Sequence, residues 1–274
     1  MSETRTGKPP ETSLASDGDP WSGLRAYTPA RIALGRAGTS LPTRPHLEFQ
    51  LAHARARTAV HAALGVDALV DRLASLGLET LVVASAAEGR AMYLQRPDLG
   101  RRLDDASRDL LAGREKREEG PEVVFVIGDG LSALAIEENA APFLEVMVPV
   151  LRDAGWRIGP LSVVTGARVA IGDEIGAALG AAMVVMLIGE RPGLSSPDSL
   201  GLYLTANPRP GLTDEARNCV SNVRAAGLSH EGAAHKLLFL MTEARRRGLS
   251  GVRLKDEAEV LVDGRPKAGN FLLG

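Results

Sequence analysis

Three apolar runs in the second half of the chain each end in glycine followed by an acidic residue. They are Val123–Gly128 before Asp129, Val169–Gly172 before Asp173 and Glu174, and Met183–Gly189 before Glu190. A continuous apolar run has no side to leave in water, so it reads as a strand buried on both faces, turning at its glycine. Strands of that kind sit in parallel sheets under two layers of helices, and ligands bind outside their carboxyl ends. One edge of one sheet is therefore the expected working surface.

The surrounding pattern fits. Glu122 opens a region in which strand signals at 123–127, 161–165, 183–188 and 202–205 alternate with helix signals at 131–154, 173–180 and 231–247. Ser229 is placed to cap the last helix. Pro142 must start a second helix or kink the 131–154 helix, because proline removes a donor and crowds the preceding turn. Before Gly120-Pro121 the chain reads as mostly helical, with helices over 47–64, 66–76 and 101–117 and one short strand at 81–85. The expected fold class is α/β: a Rossmann-like parallel sheet with helices on both faces (residues 119–274), preceded by a mostly helical N-terminal domain (21–118). Residues 1–20 are rich in Ser, Thr, Pro, Gly and Asp and read as a disordered tail, either a solvated end or an address for a larger assembly.

Composition removes several functions. The formal net charge of -2 gives no basic footprint for nucleic acid. No run of about 18 apolar residues is present, so no membrane span is expected, and no secretory signal opens the chain. Cys219 is the single cysteine, which rules out an internal disulfide and a cysteine-rich zinc site and fits a reducing, cytoplasmic setting.

Gly128-Asp129-Gly130-Leu131-Ser132-Ala133 has the form of a dinucleotide fingerprint after a strand and before a helix. The acidic partner due about 20 residues later has no clear strand end to occupy. The competing explanation is a glycine turn that lets a strand and a helix pack closely. Glu190, in Gly189-Glu190-Arg191-Pro192-Gly193, is an acid directly after a buried strand. It is either neutralised by Arg191 or held by the Pro/Gly loop as a fixed acceptor for a donor-rich ligand. Cys219 reads as a small apolar residue, since no base for a thiolate accompanies it. His46, His53 and His61 have no carboxylates at metal-site spacing. No nucleophile elbow, Walker A loop or H-E-x-x-H is present, and no Asp stands two residues before a histidine.

Four segments in order carry a resemblance: Tyr93-Leu94-Gln95-Arg96-Pro97-Asp98-Leu99-Gly100-Arg101-Arg102-Leu103, the Gly128–Ser132 turn, Gly189–Leu194, and Arg217-Asn218-Cys219-Val220-Ser221-Asn222. Together, between about Tyr27 and Lys255, the chain resembles the small subunit of ethanolamine ammonia-lyase. That resemblance implies an adenosylcobalamin enzyme converting ethanolamine to acetaldehyde and ammonia. It implies a large-subunit partner, a TIM barrel that binds ethanolamine, in a hetero-oligomer sometimes enclosed in a bacterial microcompartment. It implies cobalamin between the subunits, touching Val169, Glu190 and Cys219 here, with the substrate-handling residues on the large subunit and cobalt held within the corrin. Without an Asp-x-His motif, the cofactor is expected to keep its own dimethylbenzimidazole. Two other readings stay open: an oxidoreductase binding a nicotinamide cofactor at Gly128–Ala133, and a non-catalytic binding module.

Overall fold

The computed structural model describes Asp19 and residues 21–28, 30–115, 119–258, 261–262 and 265–266. The expected tail lies outside them, Asp19 excepted. The chain divides into two units between Ala54 and Arg55, within helix α1 (Thr43–His61). The first unit has a 3-10 turn at Ser22–Ala26, a bridge between Ala37 and Ser40, and the opening turns of α1. On those turns Arg44 pairs with Glu48 at 3.1 Å, one helical turn away.

The second unit is α/β. In chain order it holds α2 (Val66–Leu73), β1 (Thr80–Ala84), α3 (Gly89–Gln95), α4 (Asp105–Ala112), β2 (Val123–Gly128) and α5 (Ala133–Asp153). It continues with β3 (Leu161–Thr165), α6 (Ile171–Ala178), β4 (Met183–Gly189), β5 (Leu200–Ala206), β6 (Arg217–Val223) and α7 (His230–Arg247). The six strands form one sheet in the order β1-β3-β2-β4-β5-β6. β1 lies N-terminal of residue 119 yet hydrogen-bonds to β3, so the sheet draws on chain from both sides of that position. Among the described residues no helix is long and apolar enough to cross a membrane.

The wholly parallel sheet is corrected at two strands. β1, β3, β2 and β4 are parallel, but β5 runs antiparallel to β4 and β6 antiparallel to β5, so the sheet is mixed. The cause is connection length. A parallel return needs a crossover of a dozen or more residues, usually a helix. The segments 190–199 and 207–216 are too short for that and carry at most a 3-10 turn at Asp214–Ala216. The run Val169–Gly172 is also not a strand. It follows the turn at Gly166 (φ 68°) and becomes the start of α6. A single helix, α5, passes through Pro142 and Pro149, so Pro142 does not begin a new one. The 101–117 helix contracts to α4, which starts where Asp104 accepts the Ser107 N–H at 2.7 Å; residues 116–118 lie outside the described residues.

The helices form where caps and apolar spacing agree. Ser132 caps α5 by accepting the Ala135 N–H at 3.2 Å, and Ile136, Ala140, Phe143, Leu144, Met147 and Leu151 form its buried stripe. Ser229 caps α7 as expected, and Gly248 ends it in the left-handed region. The two helices cover one face of the sheet, where a continuous core reaches Leu202, Leu204, Val220 and Val223 of β5 and β6. The opposite face is covered by α4 and α6. Its core takes in Val124, Val126, Val164, Val184, Met186 and Ile188 and, among the described residues, no buried side chain of β5 or β6. From β5 and β6, Tyr203 alone among the described hydrophobic residues packs against its margin.

Candidate functional site

The carboxyl ends of β2, β3 and β4 meet in a tightly packed junction. Gly130 has φ 54°, and a Cβ there would stand 2.3 Å from the Gly189 carbonyl oxygen; a Cβ on Gly189 would stand 2.0 Å from that of Ser132. The Leu131 N–H donates to the Gly189 carbonyl at 2.9 Å, and the Ser132 hydroxyl donates to the Pro197 carbonyl at 2.6 Å. The amino end of α5 is thus filled by the chain's own β4–β5 loop. Asp129, between the two glycines, accepts the Ala167 N–H at 2.9 Å and faces Arg90 at 3.4 Å. Burial pushes its carboxyl up. Gly128–Ala133 therefore performs close strand–helix packing, and a dinucleotide has no open phosphate cradle there.

The β4–β5 loop is fixed at several points. Asn139 of α5 donates to the Asp198 carbonyl at 2.9 Å, and Arg224 pairs with the Asp198 carboxylate at 2.9 Å. Pro and Gly in this loop mark a held segment, as expected from sequence.

Glu190 stands at the root of that loop, half-buried. Its Oε2 accepts the Ser199 hydroxyl and the Asn222 backbone N–H, the latter at 3.3 Å. Arg191 is exposed and makes no ion pair with it, so the neutralising role considered for Arg191 is corrected: hydroxyl and amide donors hold the carboxylate. Oε1 takes no protein donor among the described residues. Gly201 makes room for this arrangement, since a Cβ there would lie 3.0 Å from Glu190 Oε1 and 3.2 Å from Tyr203 Cε2.

Cys219 lies opposite Tyr203 across the β5–β6 ladder and is exposed. Although the residue keeps an exposed surface, the protein atoms crowded around its sulfur desolvate the thiol and push its pKa up; a hydrogen bond from the Tyr203 hydroxyl opposes that, and the Glu190 carboxylate adds to it. Tyr203 is raised as well, mainly by burial and then by Cys219. The lone cysteine is thus a neutral thiol on an open strand face, not a thiolate. Val169 sits where β3 gives way to α6, half-buried against the second core, its carbonyl accepting the Gly172 N–H at 3.1 Å.

Glu190 and Cys219 share one electrostatic neighbourhood with Tyr203, whereas Val169 lies to one side. Val169 lies beyond the end of β3, at the entry to α6, while Cys219 lies on the edge strand β6. All three lie on or beside the same face of the sheet.

Three further groups were not evident in the sequence. Ser199 and Asn222 come from loop and edge-strand positions whose role appears only once the strands pair. The third is the buried pair of Asp173, in the first turn of α6, with Arg217 of β6, each side chain 2% exposed. Burial pushes Asp173 up to about 6, against the pull of the Arg217 guanidinium. The pair ties the edge strand to α6 directly beside Cys219.

Comparison with known proteins bears on the whole chain. The family model described as ethanolamine ammonia-lyase light chain (EutC) matches residues 18–255. A protein of Azotobacter vinelandii named ethanolamine ammonia-lyase small subunit is 58% identical over 259 residues, covering 93% of this chain and 96% of its own length. Proteins of the same name from Pseudomonas aeruginosa and Ralstonia nicotianae are each 57% identical, covering 94% and 93% of this chain and 96% and 94% of theirs.

Proposed function

The chain belongs to the family of ethanolamine ammonia-lyase light chains, and from that premise we propose that it is the cofactor-holding small subunit of a two-subunit ammonia-lyase that converts ethanolamine to acetaldehyde and ammonia. The large subunit handles substrate, and this chain presents one side of an adenosylcobalamin site through the Rossmann-like parallel part of its sheet and the open face of β5 and β6. When bound, adenosylcobalamin supplies radical chemistry through homolysis of its cobalt–carbon bond.

The observation that carries the reading is Glu190. A carboxylate with one oxygen anchored by Ser199 and Asn222 and the other free is a placed acceptor. The rim of a corrin carries amide side chains whose N–H groups are matching donors, and a hydrogen bond to a charged group is the stronger kind. The remaining residues fit the same group. Gly201 leaves β5 without a side chain beside the carboxylate, Tyr203 and Cys219 give a neutral, partly apolar floor, and Val169 adds an aliphatic contact. The work of this chain is to bind, to orient and to exclude water from one side of the site. No proton transfer is asked of it, in keeping with a thiol and a tyrosine both held in their neutral forms.

The test is a spectroscopic titration of the complex reconstituted with a large subunit. Glu190→Gln keeps the shape but removes the charge and turns half of the acceptor into a donor, and cobalamin affinity is expected to fall about 10-fold or more. An unchanged titration would remove Glu190 from the site.

A further inference from the structure

Tyr93 is 1% exposed, and its hydroxyl has no hydrogen-bond partner among the described residues. Two guanidiniums stack on its ring: Arg90 at 4.8 Å and Arg168 at 4.3 Å from the centroid. Arg90 Nη2 and Arg168 Nε are also buried without partners among the described residues. Three of the unpartnered buried polar atoms among the described residues therefore converge on one stack, beside the carboxyl ends of β2 and β3. Burial of such groups is costly unless something completes them.

The two arginines are not equivalent. Arg90 is consumed internally, donating to the Val60 carbonyl at 2.6 Å and the Gly130 carbonyl at 2.7 Å and facing Asp129. Arg168 has a single long bond, 3.4 Å to the Tyr93 carbonyl, and no carboxylate partner among the described residues. Its position is nevertheless carefully set. Its backbone N–H donates to the Gly100 carbonyl at 2.7 Å, and a Cβ on Gly100 would stand 3.0 Å from Arg168 Cγ and 3.2 Å from Tyr93 Cδ2. The Tyr93–Leu103 segment thus builds the seat of this guanidinium. A half-buried guanidinium on an aromatic platform, with no carboxylate partner among the described residues, has the charge and the donors to receive an anion.

We propose that Arg168, on its Tyr93 platform, binds the phosphodiester of the cofactor's nucleotide tail, while the neighbouring Val169 and the more distant Glu190 hold the corrin. This rests on the cofactor reading above. A guanidinium matches a phosphodiester in charge and in the planar fork of its donors. Arg168 is a binding residue in this account, not a participant in bond breaking.

The probes are cyanocobalamin and cobinamide, which keeps the corrin but lacks the nucleotide and its phosphodiester. Each is titrated spectroscopically into the two-subunit complex. Arg168→Gln is expected to weaken cyanocobalamin about 10- to 100-fold and leave cobinamide unchanged, with Arg168→Lys falling between Gln and the parent as a variant that keeps the charge. Equal weakening of both corrinoids, or of neither, overturns the phosphodiester assignment and leaves the cofactor reading standing. Loss of subunit assembly in Arg168→Gln and Arg168→Lys, read by gel filtration, assigns the guanidinium to the partner and also overturns it. A parent complex that takes up neither corrinoid ends both readings.

Discussion

The two faces of the sheet are built from the same six strands and finish differently. Under α5 and α7 the apolar core runs on to the last strand, Val220 and Val223 included. Under α4 and α6 the core stops at β4, and the outer strands present Gly201, Tyr203, Cys219 and Ser221 instead. The first face is finished within the chain. The second stops two strands short, and that shortfall coincides with the residues expected to meet the cofactor. Both faces carry a buried core, and the difference in packing is confined to the outer strands β5 and β6.

The sharpest way to break this contrast is to cut into the finished face. Phe143 of α5 is fully buried, and Phe143→Ala is expected to cost about 3–5 kcal/mol in urea unfolding, whereas Ser221→Ala on the open strand should change stability by less than about 0.5 kcal/mol. Comparable costs at both positions would mean that the faces are alike. The next effect tests how the edge strand is attached. Arg217→Met strands a buried Asp173 and should cost about 3 kcal/mol, and adding Asp173→Leu should recover much of it. A single variant as stable as the parent would show that β6 stays in place without the pair.

A smaller effect probes the open face itself. Gly201→Ala places a methyl group against Glu190 Oε1. It should cost only about 1 kcal/mol, while cobalamin uptake by the complex falls as the carboxylate is displaced. The smallest effect is that of pH on Cys219. The folded thiol keeps its proton to higher pH than an unfolded one. Its contribution to stability is therefore whole below the ordinary thiol value of about 8.5 and declines as the pH climbs beyond it. Iodoacetamide at pH 8 should modify Cys219 several-fold more slowly in the folded chain than in urea, with the gap closing at higher pH. Equal rates at pH 8 would mean that the thiol is not shifted.

How much of this was legible depended on whether a position is governed locally. The apolar runs of β2 and β4 and the stripe of α5 could be read directly, because burial on both faces leaves one kind of residue in place. β6 could not. Arg217, Asn218, Ser221 and Asn222 make it look like a loop, and only pairing with β5 shows that Arg217 points to a buried carboxylate while Val220 points to the core. The direction of β5 was hidden for a similar reason, since strand signals carry no orientation and only the short flanking connections decide it. At the site, Glu190 stood out as an acid after a buried strand. Its anchors, Ser199 and Asn222, lie 9 and 32 residues away and gave no local sign. Arg168 was passed over because its distinction is the absence of a partner, which no sequence pattern records.

The register of β5 and β6 slips between Leu200 and Leu202, and nearby Asn222 takes φ 58°. That irregularity delivers its N–H to Glu190, and it has a second result. β6 is an outermost strand, and a straight, apolar outermost strand invites another chain to continue the ladder. Here the bulge breaks the regular geometry of the edge, polar side chains flank it, and the Asn222 carbonyl is taken by the Leu228 N–H, so stacking of one molecule on the next in a fibre finds no regular template. The bulged edge of β6 is thereby kept from pairing with copies of itself.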